Sequence, residues 1–321
     1  MQMYGSRLAN IVGSYFFCKC CVLNFNRIMK TKEFIQLFVP PIYYKVKRRL
    51  FPKSEQEWHP LPQLEEKGDR LIIIGNGPSL NKSVELYGDI LKQSECLMVN
   101  HSAATELFEF IQPKFYMVVD PAWVYPENST HTEAIYRTIN AIVSKTIWPM
   151  TIVMPRTAIN GYANNQFKKN KNINVMFFED CQIMPKDMTK FEAWDKNMVC
   201  PPGQTVMNTA VWLPIYWEYK ETYIIGADTS FVADLHVDQE TNIVYSIDTH
   251  FYSNDQLPVD DYDKKNHRRT FGTKLYEEYF TAGIALRDYW AMREYADWKG
   301  VKVYNASEYS WIDAFERKKL K

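Results

Sequence analysis

This chain lacks net charge: its 321 residues carry 38 Lys and Arg against 38 Asp and Glu. That balance removes the electrostatic case for a nucleic-acid partner, and no aromatic, basic RNA-binding signature supplies another. Cysteine is sparse. Cys18, Cys20, Cys21, Cys96, Cys181 and Cys200 show neither zinc-ligand spacing nor a disulfide framework, which fits a reducing, cytoplasmic setting. No apolar run reaches the ~20 residues that span a bilayer. The stretch Ile11 to Leu23 is broken by Lys19 and lacks a small-residue cleavage site, so it does not read as a cleavable signal peptide.

What is present is a high apolar content, 46%, with 15% aromatic residues. A chain of this length buries a substantial core as one large or two modest domains, and a small-molecule site is the default expectation. The first 55 residues differ in character, holding ten Lys or Arg against Glu33 and Glu55. From Lys32 an apolar block meets the cluster Lys45, Lys47, Arg48 and Arg49, interrupted by Pro40 and Pro41. Such an arm suits a membrane interface with its cations toward anionic lipid, which would make the protein peripheral on the inner face of the cytoplasmic membrane. Residues 56–69 read as a linker, and 70–317 as the main domain.

In that domain strand and helix signals alternate. Expected strands are Leu71–Gly75, Cys96–Val99, Phe115–Val119, Met150–Met154, Asn174–Phe178, Thr222–Ile225 and Val301–Tyr304. Expected helices fill Ser79–Leu91, Ala103–Phe110, Thr132–Ser144, Thr205–Tyr216 and Lys274–Trp298. This predicts an α/β, Rossmann-like, mostly parallel sheet with helices on both faces.

The first strand runs into LIIIGNGPSL, where Gly75 and Gly77 permit close approach of a ligand, Asn76 adds an orientable amide, and Pro78 and Ser79 open a helix with its amides outward. The turn lacks the third glycine of a dinucleotide fingerprint and the lysine of a P-loop. Ligands of such sheets collect at the carboxyl ends of strands, where Gly75 and Asn76, Asn100 and His101, Asp120 and Pro121, Gly226 and Asp228, and Asn305 with Ser307 all fall. Residues 231–273 form an insertion too long for an ordinary loop, a candidate lid.

The ordered set GNGPSL, VNHS at Val99–Ser102, VVDP at Val118–Pro121, the stretch Gln204–Asp228 ending YKETYIIGAD, and DTHFY at Asp248–Tyr252 resembles the glycosyltransferase family 42 sialyltransferases. It is similar also to a wider superfamily with the same GNGPSL entry, containing motility-associated glycosyltransferases and hydroxymethylpterin diphosphokinases. The likeness implies a GT-A-variant fold with a lid, and an inverting, metal-independent transfer of a CMP-activated nonulosonic acid to a glycan or glycolipid acceptor in surface polysaccharide synthesis. It assigns the donor nucleotide to Gly75, Asn76, Gly77, Ser79, Asn100, Asp120, Thr205 or Gln204, Gly226 and Asp228. Asp120 stands where the sialyltransferases have asparagine. The implied base is His250 in the lid, with His236 competing, while Tyr245 and Tyr252 would steady the leaving phosphate; Arg268 or Arg269 is open as a phosphate contact. An imidazole ordinarily titrating near 6.5 suits removal of a proton from a sugar hydroxyl. No resident cofactor is implied. Under the diphosphokinase alternative, magnesium would fall to Asp120 and Asp228; a non-catalytic nucleotide-binding relative and a homo-oligomer also stay open.

Overall fold

Apolar runs without alternation become parallel strands here because both of their faces are covered. The computed structural model describes residues 60–321 apart from 130, 181, 183–190, 231, 234, 248–250, 252–261, 264–267 and 271–272. The basic arm, His250 and Tyr252 lie outside the described residues. By its contacts the chain divides after Gln56, and the described residues belong to the unit Glu57–Lys321.

Strands β1 (Arg70–Ile74), β2 (Glu95–Val99), β3 (Phe115–Met117), β4 (Met150–Pro155), β5 (Ile173–Phe178) and β6 (Glu221–Ile225) come first. The insertion then contributes β7 (Leu235–Val237), β8 (Val244–Ile247), β9 (Tyr262–Asp263) and β10 (Arg268–Thr270), an antiparallel sheet ordered β7-β8-β10-β9. Strands β11 (Lys302–Asn305) and β12 (Glu316–Arg317) return to the large sheet, whose order is β12-β11-β6-β1-β2-β3-β4-β5 with every pairing parallel. Successive strands step one way from β1 to β5, and the chain then crosses to β6 on the other side of β1. The carboxyl ends of β1 and β6 are therefore the topological switch point.

Side chains alternate between two cores, as the pleat requires. Ile72 and Ile74 face helices α1 (Leu80–Lys92), α2 (Leu107–Ile111), α3 (Thr132–Lys145) and α4 (Tyr162–Phe167). Leu71 and Ile73 face α5 (Phe191–Asp195), α6 (Val206–Tyr216) and α7 (Leu275–Lys299). Helix α6 is buried from Asn208 to Tyr216, so it is apolar all round. Helix α7 buries the stripe Ala282, Ala285, Tyr289, Met292 and Ala296, and ends at Gly300, whose φ of 73° is the left-handed cap that glycine adopts freely. No helix among the described residues is long and apolar enough to cross a membrane.

Two expectations change. Ala103–Phe110 is a 3-10 turn at Asn100–Ala104 followed by the short α2. The hydroxyls of Ser102 and Thr105 bond the carbonyls of Val99 and Ser102, competing with a continuous helix. The expected linker is packed where it is described: Leu61 is buried and donates its amide to Asn197, while the Trp217 indole donates to Pro62. Cys96 and Cys200 are buried thiols, and burial pushes Cys96 up to about 12.

Candidate functional site

The turn after β1 is stitched to the turn after β6. Gly75 donates its amide to the Ile225 carbonyl at 2.9 Å, and Gly77 to Gly226 at 2.8 Å. A Cβ on Gly75 would lie 2.5 Å from the Gly226 carbonyl oxygen, and one on Gly77 would overlap Asp228 Oδ2. Gly226 sits at φ +61°, against Leu80 and Gly75. Sequence reading gave the space above Gly75 and Gly77 to a ligand. On the Cβ side both glycines meet the Gly226–Asp228 turn, where the two backbones approach closely.

Asp228 completes that closure. Its carboxylate accepts from the Ser79 amide at 3.2 and 3.3 Å and from the Ser79 hydroxyl at 2.9 Å. The N-terminus of α1, where amides favour an anion, is thus taken by the protein's own carboxylate. A phosphate placed at Ser79 would face that carboxylate. Burial pushes the Asp228 carboxyl above its ordinary range, with the Ser79 bonds acting the other way.

The ends of β1, β2 and β3 carry the remaining rim residues side by side. Asn76 donates its side-chain amide to the Val99 carbonyl at 3.2 Å, which sets it beside Asn100. Asn100 adopts φ 48°, a conformation asparagine tolerates better than most. Its carbonyl accepts from the Tyr116 hydroxyl, and its buried Oδ1 has no hydrogen-bond partner. Asp120 is exposed and accepts from the Ala122 amide at 2.7 Å, capping the 3-10 turn Pro121–Trp123. His101 contacts Thr138 through Nδ1 at 2.9 Å and lies 5.4 Å from the Trp123 ring. Asp120 and Asp228 belong to no cluster of three or more His, Cys, Asp or Glu among the described residues.

Across the sheet, Thr205 caps α6 in a reciprocal box with Asn208. Sequence reading missed its neighbour Asp288. This residue is 0% exposed, its Oδ1 accepts from Arg287 at 2.8 and 3.2 Å, and burial pushes its carboxyl up to about 6 against the pull of Arg287 and the Gln204 amide. The available signal was an aspartate on the apolar stripe of α7, three residues after Ala285 and four before Met292. Burial likewise pushes the Tyr289 phenol up to about 12, with Thr229 and Thr205 acting in the other direction.

In the small antiparallel sheet His236 and Tyr245 are cross-strand partners, their rings 5.3 Å apart and stacked. Arg268 and Arg269 lie in β10, in register with Ile247 and Ser246 of β8. Phe251 donates its amide to the Asn76 carbonyl at 3.1 Å and accepts from the Asn81 side chain at 3.3 Å, so the insertion touches the rim at the residue that follows His250. Two surface concavities lie elsewhere, one at the amino end of β2 and β3, the other against β7, β8 and the start of α7.

No protein-family model and no curated protein matches the chain. Among solved structures it is similar to a MAf glycosyltransferase from Magnetospirillum magneticum AMB-1, at 12% identity and a TM-score of 0.45, over 94% of this chain and 42% of that one. The chain thus spans about two fifths of that structure's length. At that level the likeness assigns no activity, and the architecture rests on the strand pairings above.

Proposed function

We infer that the protein is a glycosyltransferase with a nucleotide-activated sugar donor, of the CMP-activated nonulosonic acid type. The motif resemblance supplies the class. The observation that carries the reading is the Asn76–Asn100 pair at adjacent strand ends beside the switch point, with the Asn100 Oδ1 buried and without a donor. A buried acceptor left unmade costs ~1–3 kcal/mol, and a ribose hydroxyl or the amino group of cytosine supplies the missing donor.

In this reading the neutral amides hold the nucleoside, and Asp228 keeps the phosphate away from α1. The acceptor hydroxyl oxygen attacks the anomeric carbon as CMP departs, inverting the centre. His250 takes the hydroxyl proton, and the hydroxyls of Tyr245 and Tyr252 donate to the oxygen on which charge develops. Contact of Phe251 with Asn76 supports the placement of this part of the lid at the rim. The basic arm would bring the enzyme to a membrane-bound glycan acceptor.

A thermal-shift panel of CMP, CDP, UDP, GDP and ATP, each with and without magnesium, tests the reading. CMP alone should stabilise the protein, by roughly 2.7 kcal/mol at 100 times its Kd. A magnesium-dependent shift with ATP and none with CMP would establish the diphosphokinase instead.

A further inference from the structure

The loop after β11 sets two aromatic rings outward beside the switch point. Trp311 donates its amide to the Asp228 carbonyl at 2.8 Å, Ser310 its hydroxyl to Ala227 at 2.7 Å, and the fully buried Asn305 its side chain to Ile312 at 3.0 Å. Residues alternate along this segment: Ile312 and Ala314 are buried, while Tyr309 is 51% and Trp311 39% exposed. Each of two indoles is pinned at its nitrogen, Trp311 to the Tyr309 hydroxyl at 2.6 Å and Trp290 of α7 to Asp313 at 3.0 Å. Trp290 itself is 48% exposed. Half-exposed, these rings forgo part of the stabilisation that burial of such side chains brings, while remaining held in place. A rigid aromatic with a wet face and a satisfied polar edge is the form in which Trp and Tyr serve recognition.

We propose that Tyr309 and Trp311, continued by Trp290, form a stacking platform for the pyranose rings of an uncharged glycan, the acceptor of the transfer. The substrate class rests on the glycosyltransferase reading; the platform rests on the geometry. Charge decides between acceptor and donor. The segment's own charged side chains from Ala306 to Glu316 are Glu308, Asp313 and Glu316, and the two bases that touch it, Arg293 and Arg317, donate to the Ala314 and Ser307 carbonyls, so the side chains left facing a ligand here are acceptors suited to sugar hydroxyls. Sugar C–H faces meet the rings, and adjacent carboxylates take the hydroxyls at the ring edge.

Saturation-transfer NMR with the full-length protein and three neutral probes, maltose, lactose and chitobiose, tests the platform. The ring C–H protons of the probes should take up saturation from the wild type. Affinity should fall about tenfold or more in Tyr309→Ala and in Trp311→Ala, the loss expected of an aromatic anchor, and be retained in Trp311→Phe, with the CMP thermal shift unchanged throughout. Because the Tyr309 hydroxyl holds the Trp311 indole, Tyr309→Phe keeps the stacking ring while releasing that bond: retained binding assigns the affinity to the ring, and a loss equal to that of Tyr309→Ala overturns the platform. Three further results overturn the proposal: no probe binds the wild type, the alanine variants bind as well as it does, or CMP affinity falls in step with the sugar. Alanine variants that split a dimer in sedimentation without loss of sugar binding would give the rings to a second copy. Sugar binding is read without nucleotide, so failure of CMP to bind would end the donor reading alone.

Discussion

Asp228 accepts hydrogen bonds from both the amide and the hydroxyl of Ser79, across 149 residues of sequence, and so caps α1 with a carboxylate from the far side of the switch point. The two strands that bracket the switch point are thereby locked together at their carboxyl ends.

The lock predicts a non-additive pair. Asp228→Ala should destabilise by about 1–3 kcal/mol, leaving the Ser79 donors unmade. Gly77→Ala should cost about 1–3 kcal/mol by pushing the carboxylate out of place. In urea unfolding the double variant should lose at least ~0.5 kcal/mol less than the sum, as contacting sites do. Simple additivity would show that the contact contributes nothing.

Asp288 makes stability depend on pH in a defined direction. Its folded carboxyl titrates at about 6, against about 3.9 unfolded, so between those values the native state holds the extra proton. The contribution is therefore fully present below about pH 4 and is lost as pH rises through about 6. Relative to Asp288→Asn, the wild type should lose on the order of 2–3 kcal/mol from about pH 4 to about pH 7. Parallel urea curves for the two proteins across that window would refute the assignment.

Asn100→Gly keeps the positive φ and deletes the buried oxygen. Its stability should equal or exceed that of the wild type, while CMP affinity in calorimetry falls about tenfold, the loss of one hydrogen bond. Asn76→Ala should weaken CMP similarly, with a stability cost from the lost Val99 bond. Unchanged affinity in both removes the amides from the nucleotide site.

The base is tested by CMP release from CMP-sialic acid in the presence of a glycan. His250→Ala should turn over about 10²- to 10⁴-fold more slowly with CMP affinity unchanged. His236→Ala should do much less, because that residue is exposed and its ring stacks on Tyr245. Equal losses would point to lid folding, and near-normal turnover in His250→Ala would exclude it as the base.

Removal of Met1 to Lys53 should abolish cosedimentation with anionic vesicles and leave the CMP shift intact. In the full-length protein that cosedimentation should weaken with added salt, as screening requires. Vesicle binding that survives the truncation would place the membrane contact elsewhere.

The sequence alone determined the scaffold of the large sheet. Leu71–Ile74, Cys96–Val99 and Thr222–Ile225 are short β-branched or apolar runs that only a strand covered on both faces can bury, and the apolar stripes of α1, α3 and α7 repeat at helical spacing. These are local signals, set by the side-chain period of each element, and they also put Asn76, Asn100 and Asp120 after the ends of β1, β2 and β3. Short elements were illegible: β12 and the strands of the small antiparallel sheet hold two to four residues each, too few for a period, and exist because a neighbour pairs with them. What fills the rim was likewise decided in three dimensions. Glycine at 75, 77 and 226 announces a close approach without saying to what, and an aspartate at 228 reads equally as a ligand contact. Only the parallel registers of β6 with β1 and with β11 bring Asp228 to Ser79 and Trp311 to Asp228, because a hydrogen bond between residues remote in the chain leaves no pattern in either local segment.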